Sequence, residues 1–258
     1  MSGADLLVLS PHLDDAALSC GGLIHARVRS GAQVRVATPF AGDLPEGLGE
    51  FAKATLERMG LQPEDASARR RKEDEVACRI LGVELDHGDF TDAVARRGAD
   101  GAVLYGGPEA LLQEPSEDDA PLVGELADWF RGLGHFEQVL APLGVGGHVD
   151  HRLVRRAAEE AFPEGLRYYE DFPYVIRKQG PGLDAVLGDR RGWRSEVVKL
   201  GAADLKAKVR AIRAYRSQVS PLFGLGPIPG RFRVKGKVRR YAEERGGERI
   251  WARAVSGR

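Results

Sequence analysis

Cysteine is the first scarcity. The chain of 258 residues holds two, Cys20 and Cys78, which excludes a disulfide framework and fits a reducing compartment. Net charge is missing too. Thirty-eight Lys+Arg face 38 Asp+Glu, a formal net charge of +0, so no global field directs the chain to nucleic acid or an anionic membrane. Basic clusters such as Arg69-Arg70-Arg71 and Arg155-Arg156 read as solvated helix faces. No window approaches the roughly 20 apolar residues of a membrane span. The opening MSGADLLVLSPH lacks a basic n-region, and its apolar run is short for a signal peptide. There is no internal repeat, no low-complexity tract, and no G-x-G-x-x-G after the first predicted strand to mark a dinucleotide site. The expectation is a cytoplasmic protein without a nucleic-acid partner or a membrane span.

What is present is a core. A 43% hydrophobic composition suffices for one large α/β domain or two small ones. DLLVLS (5–10) is an apolar run without alternation, as in a strand buried on both faces. Helical spacing follows over 16–30, with Gly31 as its stop. AQVRVATPF (32–40) reads as a second strand, 41–66 as loop with a short helix, 67–82 as a helix capped by Gly82, and 83–90 as a third strand. A helix within 114–134, a buried strand at 137–144, a helix at 150–162 and a strand at 166–174 continue the alternation. Such alternation predicts right-handed crossovers and a parallel, doubly wound sheet. Beyond a helix at 205–219 the chain turns rich in Gly and Pro. Residues 200–258 therefore read as an elaboration of a single domain spanning 1–258.

In open parallel sheets, ligands bind outside the carboxyl ends of the strands. Pro11-His12-Leu13-Asp14-Asp15 follows the first strand, and Gly146-Gly147-His148-Val149-Asp150-His151 follows the strand 137–141. Together they bring three imidazoles and three carboxylates to one edge. That set suits metal-assisted hydrolysis. Zinc takes imidazole nitrogen and carboxylate oxygen, and a catalytic site keeps an open position beside about three protein ligands. His12 and one aspartate would supply two ligands, and a histidine of the second loop the third. A leftover carboxylate can take a proton from water, and a leftover imidazole can stabilise an oxyanion. Taken singly, each residue has a plainer reading. Aspartates at a helix start cap amides, a lone His12 is a loop histidine, and H-x-D-H shares a helix face by its spacing. The coincidence of both clusters at strand ends favours chemistry. Spacing alone does not choose between Asp14 and Asp15, or between His148 and His151. The rivals are a non-catalytic sugar- or nucleotide-binding Rossmann-like domain and a Mg²⁺ phosphoesterase. Three histidines disfavour the second, because Mg²⁺ prefers oxygen.

These two motifs, with Gly21-Gly22, RRKEDEVACRILGV (70–83), HGDFTDA (87–93), YYEDFPY (168–174) and AIRAYRSQV (211–219), resemble the PIG-L/LmbE-like family of metal-dependent N-deacetylases. The resemblance implies a Rossmann-like α/β fold, a mostly parallel sheet with helices on both faces. It implies removal of an N-acetyl or related N-acyl group from an amino sugar or sugar conjugate, some relatives cleaving amides of thiol conjugates. The implied metal is Zn²⁺, with Fe²⁺ or another divalent ion as alternatives, and the implied partner a small N-acetylated sugar. By the same resemblance His12, Asp15 and His151 hold the metal and Asp14 is the general base. His148 stabilises the oxyanion, Asp150 orients and charges His148, and Arg70 and Asp92 bind the sugar. One departure stands out. Where some relatives place a tyrosine that polarises the carbonyl, this chain has Gly146. Tyr168, Tyr169 and Tyr174 are the candidates to replace it.

Overall fold

The computed structural model describes residues 4–177, 180–224 and 230–254. In chain order its first half runs β1 (Ala4–Leu9), α1 (Asp15–Arg29), β2 (Val34–Thr38), α2 (Glu50–Met59), α3 (Ala66–Leu81), β3 (Glu84–His87), α4 (Ala120–Gly132) and β4 (Phe136–Pro142). The second half runs α5 (Val149–Ala161), β5 (Leu166–Tyr169), α6 (Leu183–Leu187), β6 (Trp193–Val198), α7 (Ala202–Ala214), α8 (Arg216–Phe223), α9 (Gly230–Arg245) and β7 (Glu248–Arg253).

The apolar run of β1 becomes the centre of the sheet because it has two faces to cover. Leu6 and Val8 enter a core with α1, α3 and α7. Leu7 and Leu9 enter the opposite core with α4 and α5. That is the alternation a pleated strand imposes. β1 pairs in parallel with β2 and β4, and β3 and β5 extend the parallel array outward. Among the described residues the sheet order is β3-β2-β1-β4-β5-β7-β6. β7 runs antiparallel to both β5 and β6. The sheet is thus mostly parallel, with helices on both faces.

The C-terminal region differs from its sequence reading. The helix expected at 205–219 is divided between α7 and α8, the Gly/Pro-rich stretch after it is itself helical up to Phe223 and from Gly230, and residues 225–229 lie outside the described residues. β6 and β7, absent from the periodicity reading, enlarge the sheet. β6 hides from that reading because four of its six residues are exposed, so no apolar run marks it.

Helix α1 is broken at Cys20 (φ −130°, ψ 22°). The break would orphan backbone groups of its second half. Glu248 takes up the Gly22 and Leu23 amides at 3.1 and 2.6 Å, and the Lys208 ammonium bonds the Ser19 carbonyl at 3.2 Å and Glu248 at 2.5 Å. A Cβ on Gly22 would meet the Leu200 side chain at 2.5 Å. The glycine therefore permits close approach of the segment leading into α7.

Candidate active site

Three strand ends build the site. β1 delivers the loop with His12, Asp14 and Asp15, β4 the glycine turn before His148, and β5 a third loop carrying Asp171. Gly146 sits at φ +91° and Gly147 at φ +77°, left-handed conformations that glycine adopts without strain. They swing the chain from β4 into α5.

At the start of α1 the amide of Ala16 is capped by Ser10 Oγ at 2.9 Å, and Asp14 makes no capping bond. Ser10 therefore takes the capping role that the plainer reading gave to the aspartates. Asp15 Oδ2 accepts the His12 amide at 2.9 Å. It also lies 3.2 Å from His12 Nδ1 and 3.2 Å from His151 Nε2. The Asp14 carboxylate makes no hydrogen bond among the described residues, and Asp14 lines the cavity in front of this cluster. Burial and the adjacent Asp15 charge push the Asp14 carboxyl well up. Burial also pushes Asp15 up, but His151 and His12 outweigh it and hold Asp15 well below the usual carboxylate range. Two neighbouring carboxyls are thus driven apart by their surroundings.

Both imidazoles are aimed from behind. His12 Nε2 bonds Asp150 at 2.9 Å and His151 Nδ1 bonds Asp171 at 2.7 Å. Asp171 is fully buried and also accepts the Gly144 and Val145 amides, each at 2.8 Å. Asp150 is held by the Ala93 amide at 3.0 Å and by Arg96 at 2.6 Å, and Arg96 pairs with Asp119 at 3.0 Å. Asp171, Arg96 and Ser10 were missed in the sequence. For Asp171 a signal existed: a carboxylate pair after a buried strand on the same sheet edge.

The relation of Asp150 to His148 differs from the expected one. The Asp150 carboxylate faces His12 and Arg96, while its backbone amide donates to His148 Nδ1 at 3.2 Å. A ring that accepts at Nδ1 is neutral and carries its proton on Nε2. Burial and the neighbouring His12 lower His148 to about 3, outweighing the opposing pull of Asp150. His148 is therefore a neutral donor at a helix start, where a cation is disfavoured.

Arg70 Nη1 pairs with Asp92 Oδ2 at 3.2 Å, and Asp92 Oδ1 accepts the Val94 amide at 3.2 Å. Both side chains line the same cavity of about 300 Å³ as His12, Asp14 and His148. Arg70 Nε is buried without a partner. Of the three candidate tyrosines, Tyr169 bonds the Leu9 carbonyl and Tyr168 bonds Glu159, both away from the cavity. Tyr174 lines the cavity and stands edge-on to His151 with ring centroids 5.6 Å apart. A Cβ on Gly146 would meet Tyr174 at 2.7 Å, so this tyrosine occupies the space that the glycine leaves.

The donor set suits a divalent metal. His151 Nε2 is a buried polar atom with no hydrogen-bond partner. It converges with His12 Nδ1 on one oxygen of Asp15, and both rings are backed by carboxylates, the usual support of metal-binding imidazoles. His12, His148 and His151 also place ring nitrogens within 4.8 Å of one another, as do donors of His12, Asp92 and Asp150. The first grouping spends the His148 nitrogen that already accepts an amide or the one that carries a proton. The second would seat a cation beside the Arg96 guanidinium. His12, Asp15 and His151 carry neither conflict.

A doubly wound sheet with such a centre at its carboxyl edge defines a metal-dependent α/β hydrolase. Residues 7–162 match the model of the GlcNAc-PI de-N-acetylase (PIG-L) family, and the chain belongs to that family; it is a metal-dependent N-deacetylase. It is 34% identical over 225 residues to the 2'-N-acetylparomamine deacetylase of Streptomyces fradiae, covering 82% of this chain and 72% of that protein. It is similar to the zinc-inhibited form of the teicoplanin deacetylase Orf2, with a TM-score of 0.80 and 33% identity over 98% of this chain and 100% of that one. A deacetylase–teicoplanin complex gives a TM-score of 0.80 at 31% identity, with the same coverage. Among the described residues no helix is long and apolar enough to cross a membrane.

Proposed function

We propose that the protein removes an N-acetyl group from an amino sugar or sugar conjugate, with zinc held by His12, Asp15 and His151. The observation that carries this reading is the convergence of two buried imidazoles on one Asp15 oxygen, with the unbonded Asp14 carboxylate facing the same cavity. A divalent ion there supplies acidity to a water and polarises an amide carbonyl. Asp14 takes the proton of the attacking water and returns it to the departing amine. The Nε2 proton of His148 and the Tyr174 hydroxyl donate to the carbonyl oxygen as negative charge grows on it. Asp150 and Asp171 are positioning residues that fix the tautomers of His12 and His151. Arg70 and Asp92 bind sugar hydroxyls, the unpartnered Arg70 Nε supplying a ready donor. Acetate and the free amino sugar leave.

We further read residues 1–258 as a single domain. Both cysteines are buried and free, which supports a cytoplasmic setting. The test assays a panel of N-acetylated sugars and conjugates for released primary amine, with metal-loaded protein. Native protein should carry one divalent ion per chain, and His12→Ala and His151→Ala should lose it together with turnover. Full zinc retention at native affinity in both variants would refute the ligand set.

A further inference from the structure

Above its catalytic floor the cavity changes character. Helix α2 presents Phe51, Arg58 and Met59 to it, positions i, i+7 and i+8 on one helical face. Leu111, Leu112 and Leu222 of α8 add further apolar lining. The acids that line the cavity, Asp14, Asp15 and Asp92, all lie at the floor. Among the described residues no acid lines the walls, and residues 178–179 and 225–229 contain neither Asp nor Glu. The charged groups of the walls are Arg58 and Arg177.

Among the described residues neither arginine forms an ion pair. Arg58 donates to Thr55 Oγ1 at 3.0 Å, and Arg177 donates to the Leu222 carbonyl and lies 5.9 Å from the Tyr174 ring centroid. Apolar walls with two guanidinium groups that have no acid partner among the described residues suit a hydrophobic body bearing a negative charge. A polycation meets like charge at these walls, while at the floor Asp92 is already paired with Arg70 and Asp15 lies against His12 and His151.

We propose that the substrate carries its N-acetylated sugar on an apolar, anionic aglycone, and that Arg58 and Arg177 select this class against polycationic aminoglycosides. The proposal rests on the deacetylase reading above. It separates two chemistries that the relatives leave side by side, paromamine being an aminoglycoside.

The test uses four substrates with metal-loaded enzyme: N-acetylglucosamine, its phenyl glycoside, its 4-carboxyphenyl glycoside and 2'-N-acetylparomamine. Released amine gives kcat and KM at low and high salt. The carboxyphenyl glycoside should be preferred over the phenyl glycoside by about tenfold, mostly in KM, as expected for a charge-assisted contact remote from the reacting bond. The preference should shrink with salt, and acetylparomamine should be the poorest of the four. Arg58→Gln combined with Arg177→Gln should bring the ratio of the two glycosides to about one. Arg58→Glu combined with Arg177→Glu should move the preference toward acetylparomamine, a gain that misfolding cannot produce. Acetylparomamine as the best substrate of native enzyme, or an unchanged glycoside ratio in the glutamine variant, would overturn the proposal alone. No amine from any of the four would overturn the deacetylase reading and this proposal with it.

Discussion

Asp14 and Asp15 are neighbours of the same type with opposite tasks, and only their surroundings divide them. Asp15 is spoken for by two imidazoles and its own loop amide, while Asp14 is free in the cavity. Asp14→Asn should keep metal and fold and lose turnover by about 10²–10⁴-fold, the loss of a general base. Asp15→Asn should chiefly lose metal. Metal content and kcat measured on both variants check this, and the reverse pattern refutes the assignment. Asp171 allows a finer test. Its Oδ1 accepts from His151 Nδ1, which leaves the Nε2 lone pair for a metal. In Asp171→Asn the side-chain amide would donate to Nδ1 and force the proton onto Nε2. The oxygen could still accept the Gly144 and Val145 amides, so the fold should survive. Metal affinity should fall about 10–100-fold, and excess metal should restore kcat. Normal affinity in the variant would remove Asp171 from its positioning role. At this scale the sequence showed the His and Asp of both loops because their types are rare at strand ends. It could not show which carboxylate faces which ring. The Asp150–His12 bond joins residues 138 apart, and no local pattern encodes it.

Elements were legible in proportion to their local signal. β1 and β4 showed as apolar runs, and α3 as a helix ending at a glycine, because burial and helical period act within a dozen residues. The break in α1 left no such trace. A Gly-Gly pair in a helix tells only that something approaches closely, and the partner, Lys208 with Glu248, lies near the other end of the chain. This ion pair is buried, with side chains 1% and 2% exposed, yet it does more than pair charges. The ammonium serves the Ser19 carbonyl, and the carboxylate serves two amides freed by the break. Replacing a buried pair by apolar residues is often harmless, but here backbone groups would be stranded as well. Lys208→Met should cost about 3–5 kcal/mol, the range for leaving a buried charge unpartnered. Lys208→Met combined with Glu248→Leu should not recover it, since the Gly22 and Leu23 amides would lose their acceptor. Denaturant melts of both variants give the numbers. Recovery of stability in the double variant would show that the pair is a plain ion pair, with no part in stitching the helix.

At the scale of the molecule, the C-terminal region, residues 200–258, is fastened to the site's own scaffold. β7 lies between β5 and β6 in the sheet, and β5 leads directly into the loop with Asp171. Glu170, one residue earlier and fully buried, is held by the Tyr241 hydroxyl at 3.0 Å and the Trp251 indole at 3.1 Å. Tyr215 reaches Asp74 of α3 at 2.6 Å, and Ser217 bonds Glu73. Composition hinted at none of this, because these contacts cross more than 70 residues and β6, the strand at the edge of the sheet, is mostly exposed. Removing residues 200–258 would unpair β5 and β6 on their β7 sides, strip the partners from buried Glu170, and take the Tyr215 hydroxyl from Asp74. It would also expose the face of α1 and α3 that α7 covers. Each uncompensated buried carboxylate alone costs a few kcal/mol, and a domain's whole margin is about 5–15 kcal/mol. The fragment 1–199 should therefore fail to unfold cooperatively and should bind no metal, although it contains His12, Asp15 and His151. Calorimetry and metal analysis of that fragment decide the matter. A sharp transition with one bound ion would show that the ligand set stands without β7 and the C-terminal helices and that residues 200–258 are separable.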